Sequence, residues 1–191
     1  MNEIKPIKLG GKLLLSMPQI GDPRFERSVI LMMTHDEAGS LGFVLNQAAD
    51  DITLGSSVQN LPENIASSTL ASSTVFIGGP VQQDHGFILH SPEWAGEATI
   101  SPPDVAFSFS QSIDVLHACA QNEGPEEAKF LLGYSGWGAG QLEDEIRQNA
   151  WLIVTADPLL VFSPNHETLY EAVAKRAGID LAHLSSSGGS A

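Results

Sequence analysis

The stretch GYSGWGAGQLEDE, Gly133 to Glu145, concentrates the residue types that could do chemistry: Gly133, Gly136, Gly138 and Gly140 around Ser135 and Trp137, followed by acids. One chemistry it could serve is phosphate binding, since a glycine turn leading into a helix presents backbone N–H groups to an anion. A phosphate loop of the Walker type needs Lys and then Ser or Thr after its last glycine. Here Gln141 and Leu142 follow Gly140, the spacing does not match G-x-G-x-x-G, and Glu143, Asp144 and Glu145 would repel phosphate in the first helical turn. A second chemistry is nucleophilic attack from a G-x-S-x-G elbow. Gly133-Tyr134-Ser135-Gly136-Trp137 comes close, but Trp137 stands where the close-packed glycine belongs. Ser135, Asp157 and His166 follow the chain order of an α/β-hydrolase triad, yet triads are defined by geometry and not by order. The third reading, and the preferred one, is a structural corner: glycines permit left-handed turns and close backbone approach, with Trp137 plugged against the core or forming a cleft wall.

Other stretches offer weaker candidates. In DPRF, Asp22 to Phe25, the Asp-Pro pair marks a turn anchored by Asp22, while Arg24 and Arg27 could contact an anion. His35 and His90 each end an apolar run, near Asp36 and Glu37 in one case and Asp84 and His85 in the other. There is no H-x-H or H-E-x-x-H, and His85 and His90, five apart, would face opposite sides of a strand, so no metal site is expected. GGP, Gly78 to Pro80, reads as a tight turn in which Gly79 could approach a ligand closely. Cys119 sits near the apolar face of a helix and reads as an inert thiol.

These residues need elements to hold them. KLLLSM and SVILMMTH read as strands, and residues 28–47 as a β-hairpin turning at DEAGS. Further strands are expected at TVFIGGP, HGFILHS, ATIS, VAFSFS, AKFLLGYS, WLIVTAD and LLVF. Residues 50–73 are polar, with a weak helix near TLGSSVQNL. SIDVLHACAQNEG predicts a helix with Ile113, Leu116 and Ala120 on one face, and GQLEDEIRQNAW a helix with acids in its first turn. SPNHETLYEAVAKRAG predicts a capped amphipathic helix stopped by Gly178. Strands in pairs followed by late helices favour an α+β fold with a mixed sheet. One domain over residues 1–184 is expected, with SSSGGSA, residues 185–191, as a flexible tail.

The 191 residues carry 23 acids against 9 bases, a net charge of −14. The bases are scattered, with no stripe to neutralise phosphates, so direct nucleic-acid binding is disfavoured. No apolar run approaches the ~18 residues of a membrane span. A single cysteine suits a reducing cytosol, so a cytoplasmic protein without cofactor or membrane attachment is expected.

Taken in order, LLLSMPQIGDPRFERSVILMMTHDEAGSLGFVLN, IGGPVQQDHGFILHS and LGYSGWGAGQLEDEI resemble the AlgH/YqgE family of bacterial proteins, over Gly11 to about Leu184. The resemblance implies an α+β arrangement with a split, barrel-like and largely antiparallel sheet surrounded by helices. The family's label is transcriptional regulator, and no catalytic residues come with it. Its pattern commonly has Ala at the place of Ser135 and does not include Cys119. Its motif positions fall on Asp22, His35, Asn46, Gly79 and His90, and on Gly136, Trp137, Gly140, Gln141 and Glu143. With Arg24 these are the candidate ligand or partner residues. The reading that results is a binding or regulatory protein acting through a small ligand or protein partner, any effect on transcription being indirect. The alternative is a small hydrolase using His35 or His90 with Asp22 or Glu143.

Overall fold

Apolar runs in which every residue is buried, rather than every second one, belong to strands covered on both faces. Leu13, Leu15, Val29, Leu31 and Met33 face one core cluster, while Leu14, Ile30 and Met32, their neighbours in sequence, face another. The computed structural model describes residues 8–58, 61–179 and 181, so the expected tail at 185–191 lies outside the described residues.

In chain order the elements are β1 (Lys12–Ser16), β2 (Val29–Asp36), β3 (Gly39–Val44), β4 (Ala48–Thr53), α1 (Leu54–Ser57), α2 (Glu63–Ala66), β5 (Thr74–Ile77) and β6 (Val81–His90). There follow β7 (Thr99–Ile100), β8 (Ser108–Ser110), α3 (Asp114–Ala120), β9 (Ala128–Gly138), α4 (Gln141–Arg147), β10 (Trp151–Thr155), α5 (Pro158–Val161) and α6 (Leu169–Arg176). The fold is α+β. Its strands form one sheet in the order β10-β1-β2-β3-β9-β6-β8-β7, with β5 joined to β9 and β4 to β5. All pairings are antiparallel except β5 with β9, and among the described residues none joins β10 to β7. The sheet is therefore open, without the closure that a barrel-like form would bring.

The 11-residue β9 holds the sheet together. Ala128–Leu132 lie between β5 and β6, and beyond Gly133 the strand transfers to β3, pairing Ser135 with Gly42 and Gly138 with Gly39. Three layers of core follow. α5 and α6 cover the first cluster, around Leu31, Phe43 and Val173. α4 covers the second, around Ile30, Trp137 and Trp151. α1, α2 and α3 cover the third, around Val75, Ile88, Leu116 and Phe130.

The β2–β3 hairpin forms where the apolar runs and the DEAGS turn placed it, its turn tied by the Asp36 carboxylate accepting from the Ala38 amide at 2.8 Å. Two expectations need correction and one is refined. LLVF is not a strand: Asp157 accepts from the Leu159 amide at 3.0 Å, Pro158 occupies the first turn, and residues 158–161 are helical. The helix expected to start at Ser163 or Asn165 follows Asn165, which is the N-cap residue of a 3₁₀ turn at His166–Thr168 that leads into α6, and it ends at Gly178 as expected. Ile113 does not share the buried face of α3, where Val115 and Leu116 pack; it is exposed.

One charge lies inside the core. Lys129 on β9 is buried, donating to the Leu45 carbonyl at 3.1 Å with its ammonium 4.4 Å from the centre of the Phe76 ring. Burial pushes its pKa from 10.5 down to about 8. The folded state thus holds the proton less firmly than the unfolded chain, and stability is lost as pH falls from about 10.5 to about 8. That displacement corresponds to about 3 kcal/mol, against which the Leu45 hydrogen bond sets about 1 kcal/mol. Lys129→Met is therefore expected to raise stability at pH 7 by about 2 kcal/mol and to flatten the alkaline dependence. Urea unfolding at pH 7 and pH 10 reads both effects; equal stabilisation at the two values would show that charge burial is not the cause.

Candidate functional site

The glycine stretch is built as strand and corner together. Gly136 to Gly138 are not a turn but the last residues of β9, because Gly39 to Leu41 offer them a partner strand. The turn comes at Ala139–Gly140, where Gly140 has φ +75° and starts α4. Ser135 is fully buried and donates to the Gly78 carbonyl at 3.3 Å. Asp157 caps α5 and pairs with Arg176 at 3.3 Å, while the His166 ring lies edge-on to Phe76. The residues that mimic a hydrolase triad in sequence thus have separate structural partners.

Trp137 is a core plug. Its ring stacks on Phe25 at 6.4 Å and meets Trp151 edge-on at 6.1 Å, joining the DPRF loop, β9 and β10 in one aromatic cluster. Both indoles donate to the same oxygen of Glu145, at 2.9 Å from Trp137 and 2.7 Å from Trp151. The Gln141 amide donates to the other oxygen at 2.9 Å and accepts from the Gly138 amide at 3.1 Å. Glu145 is the residue that organises this corner, and the sequence reading missed it among three adjacent acids. Its spacing of four from Gln141 along a helix was the available signal.

His35 lies beside this corner, its side chain 6% exposed. Its Nδ1 pairs with the Ser40 hydroxyl at 2.8 Å, and its Nε2 lies 3.6 Å from a Glu143 carboxylate oxygen. A shallow depression next to it is shared by Thr34, Asp36, Ser40, Gly136 and Trp137.

The remaining candidates lie apart from it. Asn46 spans backbone groups, accepting from the Val29 amide and donating to the Arg27 carbonyl, each at 2.9 Å. Asp22 accepts from the Arg24 amide at 3.0 Å and from its guanidinium at 2.6 Å, and these hydrogen bonds hold its carboxyl below the usual range. Arg24 and Gly79 share a small depression of about 170 Å³ with Gln47 and Gln83. His90 is completely buried at the far end of β6. Its Nδ1 donates to the Ser91 carbonyl at 2.8 Å, Nε2 has no partner, and burial lowers its pKa. His35, Asn46, Trp137 and His90 therefore do not line one cleft. The first two and His90 are bound to local partners, and Trp137 is packed. Among the described residues no three His, Cys, Asp or Glu side chains gather to hold a metal ion, and no helix is long and apolar enough to cross a membrane.

A concave site with a largely apolar lining lies elsewhere. A cleft of about 420 Å³ opens over the β5-β9-β6 sheet between α1 and α3. Val75, Ile88 and Phe130 line it from the sheet, Leu54 and Val58 from the α1 side, and Ile113 and Leu116 from the α3 side. Asp84, Gln111, Ser112 and Ser57 add the polar groups. Its size and its mixture of apolar lining with a few polar groups are those of a small-molecule site. In sequence these residues read only as core or loop, because five separated segments contribute them.

A model of the AlgH-like family matches residues 13–182. The chain belongs to the AlgH-like family. A UPF0301 protein of Ruegeria pomeroyi is 43% identical over 183 residues, covering 96% of this chain and 99% of that one. The solution structure of the AlgH protein from Pseudomonas aeruginosa is similar over 100% of both chains, with 34% identity and a TM-score of 0.76. A crystal structure of a Corynebacterium diphtheriae protein, 21% identical over 89% of this chain and 87% of that one, shares the fold with a TM-score of 0.70.

Proposed function

We propose that this AlgH-like protein is a cytoplasmic binding protein of regulatory role, which takes a small ligand in the cleft between α1 and α3. The observation that carries this reading is the cleft itself, an apolar cavity of about 420 Å³ with polar groups at its mouth. A net charge of −14 speaks against DNA as the direct partner, so an effect on transcription would pass through another protein.

Gly86 supplies the test. It lines the cleft, and a side chain there would meet open space. Gly86→Phe is expected to fold normally and to fill the cavity. In a thermal-shift screen against metabolites, a ligand at a hundredfold excess over Kd stabilises the wild type by about 2.7 kcal/mol. Gly86→Phe is expected to lose that response. Stabilisation that persists in the variant, or a screen in which no metabolite stabilises the wild type, overturns the reading.

A second reading rests on a separate observation, the series Ser40 hydroxyl, His35 imidazole and Glu143 carboxylate at 2.8 and 3.6 Å. Hydroxyl, base and acid in series are the components of acyl transfer. This reading demands ester hydrolysis that Ser40→Ala reduces by at least about 10³-fold. Equal rates in wild type and variant end it.

A further inference from the structure

The cleft has a polar mouth of one sign. Among the described residues Asp84 is its one charged lining residue, and no Lys or Arg lines it. Asp84 is placed there by an irregularity: between Val81 and Gly86 the β6–β9 ladder shifts register, and Gln82 takes φ +52°. Such departures carry a cost, and bulges commonly re-aim a side chain. Ser112 and Gln111 line the cleft as neutral polar groups. The Asp84 carboxyl lies below the usual range because His85 donates to it at 2.9 Å. Below this rim the lining is aliphatic and aromatic.

We propose that the ligand of the cleft is a small organic cation, an ammonium group on an apolar body, with the body against Ile88 and Phe130 and the ammonium at Asp84. This rests on the reading of the cleft as the binding site. Charge complementarity selects the head, since a carboxylate or phosphate would meet Asp84 within a chain of net charge −14. The volume of about 420 Å³ suits a small molecule, whereas a stable protein partner would bury roughly 800 Å² on each side, far beyond a single cleft.

Three probes of one shape separate the possibilities: 4-phenylbutylamine, 4-phenylbutanol and 4-phenylbutyrate, titrated by calorimetry into wild type, Asp84→Asn and Gly86→Phe. The amine is expected to bind the wild type most tightly and the carboxylate most weakly. Asp84→Asn is expected to weaken the amine by about fivefold and leave the alcohol unchanged, with added salt acting in the same direction. Gly86→Phe is expected to bind none of the three. Equal binding of all three probes to the wild type, or an amine affinity unchanged in Asp84→Asn, overturns the cation while leaving the cleft as the site. Binding undiminished in Gly86→Phe overturns both. Absence of amine binding to the wild type overturns the cation, and the metabolite screen then decides on the cleft separately.

Discussion

Gly79→Ala is expected to leave the chain unable to reach its native state at 37 °C, with a loss of about 4 kcal/mol or more. A Cβ at Gly79 would come closer than 3.0 Å to the Tyr134 carbonyl and to the Ser135 amide nitrogen. These are backbone atoms in the middle of β9, held by β3 and β6 and unable to move aside. Gly78 and Gly133 pack into the same crossing, where Gly78 donates to the Leu132 carbonyl at 2.8 Å and accepts from the Val44 amide at 2.8 Å. The GGP and GYSG stretches are therefore the two sides of one backbone contact. Gly140→Ala is the control: φ there is +75°, yet nothing lies within 4 Å of an added Cβ. Its cost is expected to be only the left-handed conformation of a non-glycine residue, about 1–2 kcal/mol. Urea unfolding of both variants reads the difference, and a Gly79→Ala protein as stable as Gly140→Ala would show that the crossing is looser than described.

Glu145→Ala carries the second large effect. It strips two packed indoles and the Gln141 amide of their common acceptor. An unsatisfied buried donor costs about 1–3 kcal/mol, so a loss of about 3–4 kcal/mol is expected for the group. Glu145→Gln keeps one acceptor oxygen and is expected to fall about midway. Thermal unfolding followed by calorimetry gives both values. A Glu145→Ala protein within about 0.5 kcal/mol of wild type, the range of an ordinary surface substitution, would mean that the carboxylate does not anchor the corner.

These residues also mark how far the chain can be read without coordinates. The β2–β3 hairpin was legible because a polar turn separates two apolar runs, and the late helix because basic residues and Gly178 close it. LLVF was misread because branched residues outweighed the Asp-Pro start signal just before them. The glycine run was placed rightly as a corner but not recognised as strand, since glycine favours no strand by itself and needed β3 to receive it. His90 was read as a strand-end residue that could face a ligand cleft and is buried, with Trp94 packed edge-on to it at 5.4 Å. The cleft was illegible for a further reason. Its lining comes from residues as far apart as Leu54 and Leu132, and periodicity reports that such residues are buried, not that a space is left between them.

The tryptophans give β9 a use beyond architecture. At its C-terminal end Trp137 lies against Trp151; at its N-terminal end Ala128 pairs with His90, and Trp94 sits on that imidazole. An extended strand rises by about 3.4 Å per residue, so β9 is a ruler roughly 34 Å long with an indole at either mark. No further tryptophan exists in the sequence. Trp94→Phe leaves fluorescence from the corner alone, and a Trp137→Phe, Trp151→Phe pair leaves it from the opposite end alone. The protein thus carries its own optical labels for asking whether the two ends of its shared strand melt together.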